Sequence, residues 1–256
     1  QPSRLEKKTN TGSGYHPNVV HVGIAGWSIR KEQSHLFAAK GTHLQRYASR
    51  FDAVEINSSF CQSHQRQTYS RWAKCVPARF RFAVKAPKWL THEDCLGATG
   101  EPLAQFLYEI GGLGRKLGCV LVQLPPGLAY DPRTVETFFS ALRARHRGPV
   151  VCEPRHWSWF TGAADCRLDA HGVGRVGADP KCAAAGDEPA ASPRVAYFRL
   201  HGSPVMYHSS YDAEYLDRLA DRIKAFKKTP VWCIFDNTAR GAASLNAIDL
   251  LRRLTP

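Results

Sequence analysis

The sequence predicts an α/β protein built as a single (β/α)8 TIM-type barrel over residues 19–256, with a flexible tail at residues 1–18. Two observations support this prediction. The chain has 256 residues, a size typical of such barrels, and eight strand-like runs alternate with helix-like segments along it. Strict alternation favours parallel strands joined by right-handed crossovers, and eight such units close naturally into a ring. An open, doubly wound sheet is the alternative.

The predicted elements follow one another in a regular order. The strand-like runs lie at residues 21–27, 53–60, 80–86, 119–124, 149–155, 172–179, 196–201 and 231–237. The helix-like segments lie at about 41–50, 66–76, 101–117, 132–146, 162–171, 212–227 and 241–254. Asp131 and Asp212 offer the side-chain oxygen that favours a helix start. The Ala/Gly/Pro-rich stretch 180–193 predicts a loop in place of a full helix, and the polar stretch 1–18 predicts a disordered or loosely attached tail.

Composition narrows the class of protein. The chain has 35 Lys and Arg residues against 22 Asp and Glu residues, which gives a formal net charge of +13. Its 8 cysteines form neither a C-x2-C zinc pair nor a compact disulfide framework, so a reduced, cytoplasmic protein is expected. No apolar run approaches the roughly 18 residues that a membrane span needs, so no membrane association is predicted.

Polar residues recur near the carboxyl ends of the strand-like runs. They are Glu55, Asn57, Lys85, Gln123, Glu153, Arg155, Arg199, His201, Asp236 and Asn237. Because residues two apart in a strand share a face, several of them form same-face pairs that point into the expected barrel. Buried charges are costly unless they are paired, so their recurrence at one end of the strands predicts a shared polar pocket. For any one of these residues, a structural ion pair inside the barrel is an equally good interpretation.

Seven ordered motifs resemble the block motifs of the YecE-like proteins, a family of unknown function. They are GIAGWS at 23–28, VEINSSF at 54–60, FAVKAP at 82–87 with Thr91-His92, QLPP at 123–126, EPRHWSWF at 153–160, RLHG at 199–202 and FDN at 235–237. The resemblance implies a TIM-type barrel and brings no established substrate. The chain departs from the family pattern at Ala25, Cys61 and Trp157, and in the segment after Asn237.

The chemistry of the pocket residues favours an enzyme that acts on an anionic, phosphate-bearing substrate. The candidate catalytic residues are Glu55, Lys85, Glu153, His156, His201 and Asp236. The candidate substrate-binding residues are Trp27, Asn57, His92, Gln123, Arg155, Trp159, Arg199 and Asn237. Carboxylates serve as general bases, cations stabilise developing negative charge and imidazoles move protons, which fits a hydrolase, lyase or isomerase. Whether the chain is catalytic at all is left open.

A phosphate site is expected in the loops that follow the seventh and eighth strands, because many barrels hold a phosphate there beside a helix N-terminus. In this chain the two loops are His201-Gly202-Ser203 and residues 237–242, which supply backbone N–H groups, hydroxyls and Arg240. That Gly202 and Gly241 serve only as turn residues is an equally good interpretation.

Two other functions stay open. The net charge of +13 and the basic clusters at 143–147, 227–228 and 252–253 are compatible with a nucleic-acid-binding protein or a metal-assisted nuclease. A ligand-binding barrel without turnover is the other. No cofactor is predicted, although Glu55, Glu153, His156, Asp179, His201 and Asp236 could surround a divalent metal ion. A small anionic molecule is the expected partner, and no oligomeric state is predicted.

Overall fold

The structure is a computed structural model that describes residues 19–192 and 194–255. The predicted tail at residues 1–18 lies outside the described residues. The β-strands are β1 Val20–Ile24, β2 Ala53–Ile56, β3 Arg81–Lys85, β4 Leu117–Gln123, β5 Val150–Glu153, β6 Val173–Arg175, β7 Gly177–Asp179, β8 Ala190–Ala191, β9 Ala196–Leu200 and β10 Val231–Phe235. The α-helices are α1 His43–Tyr47, α2 Ser58–Cys61, α3 Arg66–Lys74, α4 Glu101–Ile110, α5 Pro132–Arg145, α6 Gly162–Ala170, α7 Ala213–Ala225 and α8 Ala242–Leu254.

The strands form two hydrogen-bonded sheets. One has the order β1-β10-β9-β7 and the other has the order β2-β3-β4-β5-β6-β8. All neighbouring pairs are parallel except β6 with β8, which is antiparallel. The predicted α/β architecture with parallel strands is therefore confirmed. No helix in the part of the chain that the structure describes is long and apolar enough to cross a membrane.

The two sheets meet at two places. At the first, Ala25 forms an isolated parallel bridge with Glu55, and Gly26 N donates a hydrogen bond to Glu55 O at 2.8 Å. At the second, the chain runs from β6 into β7 through Val176, whose N–H donates to Cys152 O at 2.8 Å. The predicted single strand at 172–179 is therefore divided, because its first half pairs with β5 and its second half with β9.

Three other predicted elements differ in their bounds. The run 53–60 ends as a strand at Ile56, and α2 follows. The stretch 180–193 contains the short strand β8, which pairs with β6. The helix predicted at 101–117 ends at Ile110 and continues as a 3-10 helix, Gly111–Lys116. Gly112 explains the close packing there, since a Cβ atom at this position would lie 2.3 Å from Arg66 O on α3.

The two faces of the strands carry different cores. One face packs against the helices in a large apolar cluster. A smaller apolar cluster on the other face includes Ala53, Ala83, Leu121, Val151, Tyr197 and Ile234. Each of these residues stands two positions before one of Glu55, Lys85, Gln123, Glu153, Arg199 and Asp236. Because residues two apart share a face, the polar residues form the next layer above this smaller core, toward the carboxyl ends of the strands.

Candidate functional site

Seven ionisable residues from this polar layer and the loops above it form one buried group, which we call the charged cluster. Its members are Glu55, Lys85, Glu153, Arg155, Arg199, His201 and Asp236. All seven were predicted as site residues, and the structure brings them together. Asn57 joins them, because its side-chain amide donates to Asp236 Oδ1 at 3.4 Å.

Arg199 is the centre of the charged cluster. It is fully buried, and its guanidinium contacts three carboxylates: Nη2 lies 2.7 Å from Glu55 Oε1 and 2.9 Å from Asp236 Oδ2, and Nη1 lies 3.3 Å from Glu153 Oε2. Burial lowers its pKa, but the attraction of these carboxylates outweighs burial and raises the pKa well above its ordinary value. Arg199 was predicted to bind substrate, whereas its position makes it an internal cation that organises the cluster.

His201 lies between two carboxylates. Its Nε2 is 2.9 Å from Glu153 Oε1, and its Nδ1 is 3.1 Å from Asp236 Oδ2. Burial lowers the pKa of His201, but the charge of Glu153 and the hydrogen bonds to both carboxylates raise it above the ordinary value. Because both ring nitrogens face acceptors, the arrangement favours the protonated imidazolium, which donates from both.

Glu153 and Asp236 are ionised at neutral pH. Burial raises the pKa of each carboxyl, but the charges of Arg199 and His201 outweigh it and lower the pKa of Glu153 to about 2. The same two side chains lower the pKa of Asp236. A carboxylate with so low a pKa is a weak general base, so the contacts of Glu153 fit a positioning role for His201 and Arg155 better than the predicted role as base.

Lys85 is different from the other cations of the cluster. It ends β3, is only 9% exposed, and its Nζ lies 3.8 Å from the centre of the Phe60 ring. Among the described residues, no acceptor forms a hydrogen bond or an ion pair with this ammonium. Burial and the charge of Arg199 lower its pKa, against the opposing effect of the three carboxylates. Its three N–H donors are therefore available to a ligand.

Arg155 and His92 lie at the edge of the cluster. Arg155 has a side chain 11% exposed and donates from Nη1 to Glu153 Oε1 at 3.3 Å. His92 packs edge-on against Phe60 with ring centres 4.9 Å apart, and burial together with the charge of Lys85 lowers its pKa. Phe60 thus has both Lys85 and His92 against its ring.

Four predicted site residues have other roles in the structure. Trp159 is buried and donates from Nε1 to Leu128 O at 2.9 Å, so it belongs to the core. Trp27 packs against Trp72 on α3 with ring centres 5.0 Å apart. The imidazole of His156 caps the short 3-10 helix Trp157–Trp159, where Nδ1 accepts from Ser158 N at 3.3 Å.

Asn237 is the fourth. It is fully buried and donates from its side-chain amide to Ser209 O and Asn246 Oδ1, both at 2.9 Å, so it ties the loop that contains Ser209 to helix α8. Gln123, by contrast, is half-buried at the end of β4, in register with Glu153 on β5. Its side chain stays a candidate ligand contact.

Three aromatic residues of the site were absent from the predicted set. The hydroxyl of Tyr197 donates to Glu55 Oε2 at 2.7 Å, and its place two residues before Arg199 was the signal that could have identified it. Phe60 supports Lys85 from the end of α2. Tyr207 lies above His201 with ring centres 5.8 Å apart, in a loop whose sequence has no period that could have predicted this contact.

The donor set of the cluster does not fit a divalent metal ion. Within residues 19–192 and 194–255, no three His, Cys, Asp or Glu side chains are arranged to hold one. The physical reason is that Arg199 and His201 already occupy the carboxylate oxygens that would serve as ligands. Three cations face three carboxylates here, and His201 adds a further positive charge when it is protonated.

The fold and this cluster define an α/β protein of parallel strands with a largely buried, charged site at the carboxyl ends of the strands. The profile described as "Protein of unknown function DUF72" matches residues 21–256. The chain therefore belongs to the DUF72 family, and the resemblance of its motifs to the YecE-like proteins is confirmed.

Two curated relatives are similar to this chain in sequence. The UPF0759 protein YunF of Bacillus subtilis is 26% identical over 156 residues, which are 56% of this chain and 53% of that protein. The UPF0759 protein YecE of Escherichia coli K12 is 26% identical over 167 residues, which are 62% of this chain and 58% of that protein. The alignments thus span little more than half the length of these relatives.

Crystal structures of three other proteins share the fold. A DUF72 family protein from Enterococcus faecalis has a TM-score of 0.79 at 19% identity and covers 93% of this chain and 96% of its own. A DUF72 family protein from Thermotoga maritima has a TM-score of 0.76 at 23% identity and covers 93% of this chain and 100% of its own. An AP endonuclease of family 2 from Brucella melitensis has a TM-score of 0.53 at 13% identity and covers 89% of this chain and 96% of its own.

Proposed function

We propose that the two sheets form one closed TIM-type barrel, with the charged cluster inside its carboxyl-terminal end. The bridge between Ala25 and Glu55 and the continuous chain through Val176 support this proposal, because they join the sheets at both of their boundaries. In barrels of this type, active sites lie at the carboxyl ends of the strands. The cluster has that position.

We further propose that the chain is an enzyme acting on a small anionic, phosphate-bearing substrate at this end of the strands. The observation that carries the proposal is Lys85, a nearly buried ammonium with no acceptor among the described residues. Burying an unpaired charge is expensive, so a group of this kind points to a ligand that supplies the missing negative charge. Arg155, which pairs with Glu153 of the same cluster, provides guanidinium N–H donors for the same ligand.

The other members of the cluster support these two cations. Arg199 neutralises Glu55 and keeps it from pairing with Lys85, while Glu153 orients both His201 and Arg155. In this assignment Lys85 stabilises negative charge that develops on the substrate, and the protonated His201 is the proton donor. Acid–base chemistry of this kind fits a hydrolase, a lyase or an isomerase.

A ligand screen tests the proposal. Thermal shift with a panel of phosphorylated and carboxylated metabolites should identify compounds that raise the melting temperature, because a ligand that binds only the folded state stabilises it. The shift should be lost in Lys85→Met and kept in Lys224→Met, a control that removes an exposed ammonium from α7. A shift that persists in Lys85→Met would refute the assignment, and binding without turnover would identify a ligand-binding protein.

Nucleic-acid chemistry is the second candidate. Two observations favour it: the fold is similar to that of a protein named as an AP endonuclease, and the chain has a net charge of +13. The basic clusters give it little support. Arg143 donates to the carbonyl oxygens of His171, Gly148 and Gly172, and Arg253 pairs with Asp217 at 2.6 Å. These side chains are engaged within the protein. Oligonucleotide binding whose affinity falls steeply with salt would favour this candidate.

A further inference from the structure

A second cavity lies beside the charged cluster, and we call it the α8 cavity. Its volume is about 310 Å³, and it opens between the carboxyl ends of β1 and β10 and the start of α8. The side chains and backbone that line it and bear on its chemistry are those of Gly26, Ser28, Arg30, Gln33, Thr238 and Ser244.

The α8 cavity is close to the cluster. Ala25, which also lines it, is the bridge partner of Glu55, and Thr238 N donates to Asp236 O at 2.9 Å. The cavity therefore adjoins the backbone at two members of the cluster, Glu55 and Asp236.

Helix α8 starts at this cavity without a side-chain cap. It has 13 residues and follows Gly241, which is in the left-handed conformation with φ of 79° and offers no side-chain oxygen to the first turn. The first N–H groups of a helix lack partners within the helix, and the helix dipole places partial positive charge at this end. The N–H of Ala243 donates to Asn237 O at 3.2 Å, which leaves those of Ala242 and Ser244 for a ligand. An anion at this position is favoured by both effects.

Ser244 is the independent sign of a ligand. It lies in the first turn of α8, is only 6% exposed and lines the cavity. Nowhere in the part of the chain that the structure describes does its hydroxyl find a hydrogen-bond partner. The side chain is therefore largely enclosed while its hydroxyl faces the cavity, where it is available to an acceptor oxygen that a ligand brings.

The charge of the lining specifies the ligand as an anion. None of the ten lining residues is Asp or Glu, whereas Arg30 is at the rim. Arg30 Nη2 donates to Ala239 O at 2.7 Å and Gln33 Nε2 donates to Gly241 O at 2.8 Å, so these side chains also fix the loop that precedes α8. Ser28 and Thr238 add two more hydroxyl donors.

We propose that the α8 cavity binds the phosphoryl group of a phosphate monoester, with Ser244, the first turn of α8 and Arg30 as the donors. This inference rests on the proposed function and makes it more specific: the substrate carries its phosphate at one end, in the α8 cavity, and its reacting carbonyl or carboxylate group faces Lys85. Both ends of the substrate are then held by the same edge of the strands.

Titration with inorganic phosphate tests this site apart from the reaction. By isothermal calorimetry or phosphorus NMR, Ser244→Ala should weaken phosphate binding about tenfold, since a hydrogen bond to a charged group is lost. Ser244→Asp should abolish binding through like-charge repulsion. The exposed Ser140 on α5 gives the control Ser140→Ala, which should bind as the wild type does. Circular dichroism and the melting temperature of each variant show whether it is folded, and Thr238→Ala replaces Ser244→Asp if that variant fails to fold.

The outcomes separate this inference from the proposed function. Phosphate binding that depends on Lys85 and is unaffected by Ser244→Ala overturns the α8 site and leaves the proposed function standing. If phosphate does not bind while carboxylates bind through Lys85, the α8 site is also overturned and the proposed function also stands. If phosphate binds through Ser244 but no compound of the panel depends on Lys85, the α8 site stands and the proposed function fails.

Discussion

Replacing Arg199 with methionine removes the guanidinium that contacts Glu55, Glu153 and Asp236. Methionine fills part of the volume but donates no hydrogen bond, so three buried carboxylates lose their main counter-ion. Removing one partner of a buried ion pair costs about 3–5 kcal/mol. The pKa of about 2 for Glu153, against ~4.3 in an unfolded chain, independently corresponds to about 3 kcal/mol at neutral pH. We therefore expect the free energy of unfolding to fall by about 4 kcal/mol.

The contribution of the buried carboxylates to stability should change with pH in the opposite sense in Arg199→Met from that in the wild type. In the wild type, the lowered pKa values of Glu153 and Asp236 stabilise the fold above the unfolded-state value, ~4, and this stability is lost as pH falls toward the folded-state pKa. Without the guanidinium, burial dominates and raises these pKa values, so the ionised carboxylates destabilise the variant. The variant should therefore gain stability as pH falls from about 8 to about 5.

Urea unfolding at these two pH values measures both effects. Arg253→Met is the control, because Arg253 forms a surface pair with Asp217 whose loss should cost about 1 kcal/mol or less. Arg199→Lys, which keeps one charge but loses the guanidinium fork, should be intermediate. A loss below about 1 kcal/mol in Arg199→Met, or a loss that does not change with pH, would refute the view that Arg199 balances the cluster.

Three further changes probe the same residues. The raised pKa of His201 stabilises the fold at pH values below its ordinary pKa of ~6.5, and this stability is lost as pH rises through the folded-state pKa. In His201→Gln, the unfolding free energy measured with urea should therefore show no such decline at alkaline pH. Tyr197→Phe leaves Glu55 without one hydrogen bond and should lower the unfolding free energy by about 1–3 kcal/mol, whereas no change would show that this bond is dispensable. Arg155→Lys should keep a near-native melting temperature and lose affinity for ligands found in the thermal-shift panel; unchanged affinity would remove Arg155 from the site.

The charged cluster was predictable because it follows from strand periodicity. Glu55, Glu153 and Arg199 each stand two residues after an apolar residue of the smaller core, and the carboxyl ends of parallel strands lie at one edge. The alternation of side chains along the strands therefore predicted the correct face and the correct end of the strands. It could not show that Arg199 would be enclosed by carboxylates, because that depends on which side chains meet across the strands.

The directions of side chains just beyond the strands do not follow from the sequence. Trp159 and His156 follow β5 in a loop, where no period fixes the side to which a side chain turns. Trp159 turned to the core because its indole N–H finds the Leu128 carbonyl oxygen. The division of the sixth predicted strand at Val176 could not be predicted either. The short strands β6 and β7 differ in the strands with which they pair, β5 and β9, and their own sequences do not show this difference.

Tyr207 is a loop residue that contacts the cluster and that the sequence did not identify. It is 44% exposed in the loop between β9 and α7, and its contact with His201 depends on the path of that loop. Burial and the charge of Asp236 raise its pKa, so its hydroxyl stays protonated above the cluster. The contact between Tyr207 and His201 can therefore be identified only from the folded loop.

The most direct test of the central claim is the pKa of Lys85, measured by NMR titration of protein labelled with nitrogen-15 at lysine and assigned with Lys85→Arg. The claim predicts a pKa below the ordinary ~10.4 in the free protein, because the side chain is largely buried and the charge of Arg199 is close to it. It also predicts that the pKa of Lys85 rises when an anionic ligand from the panel is added. A free-protein pKa at or above ~10.4, or a pKa that does not respond to a bound anion, would contradict the account.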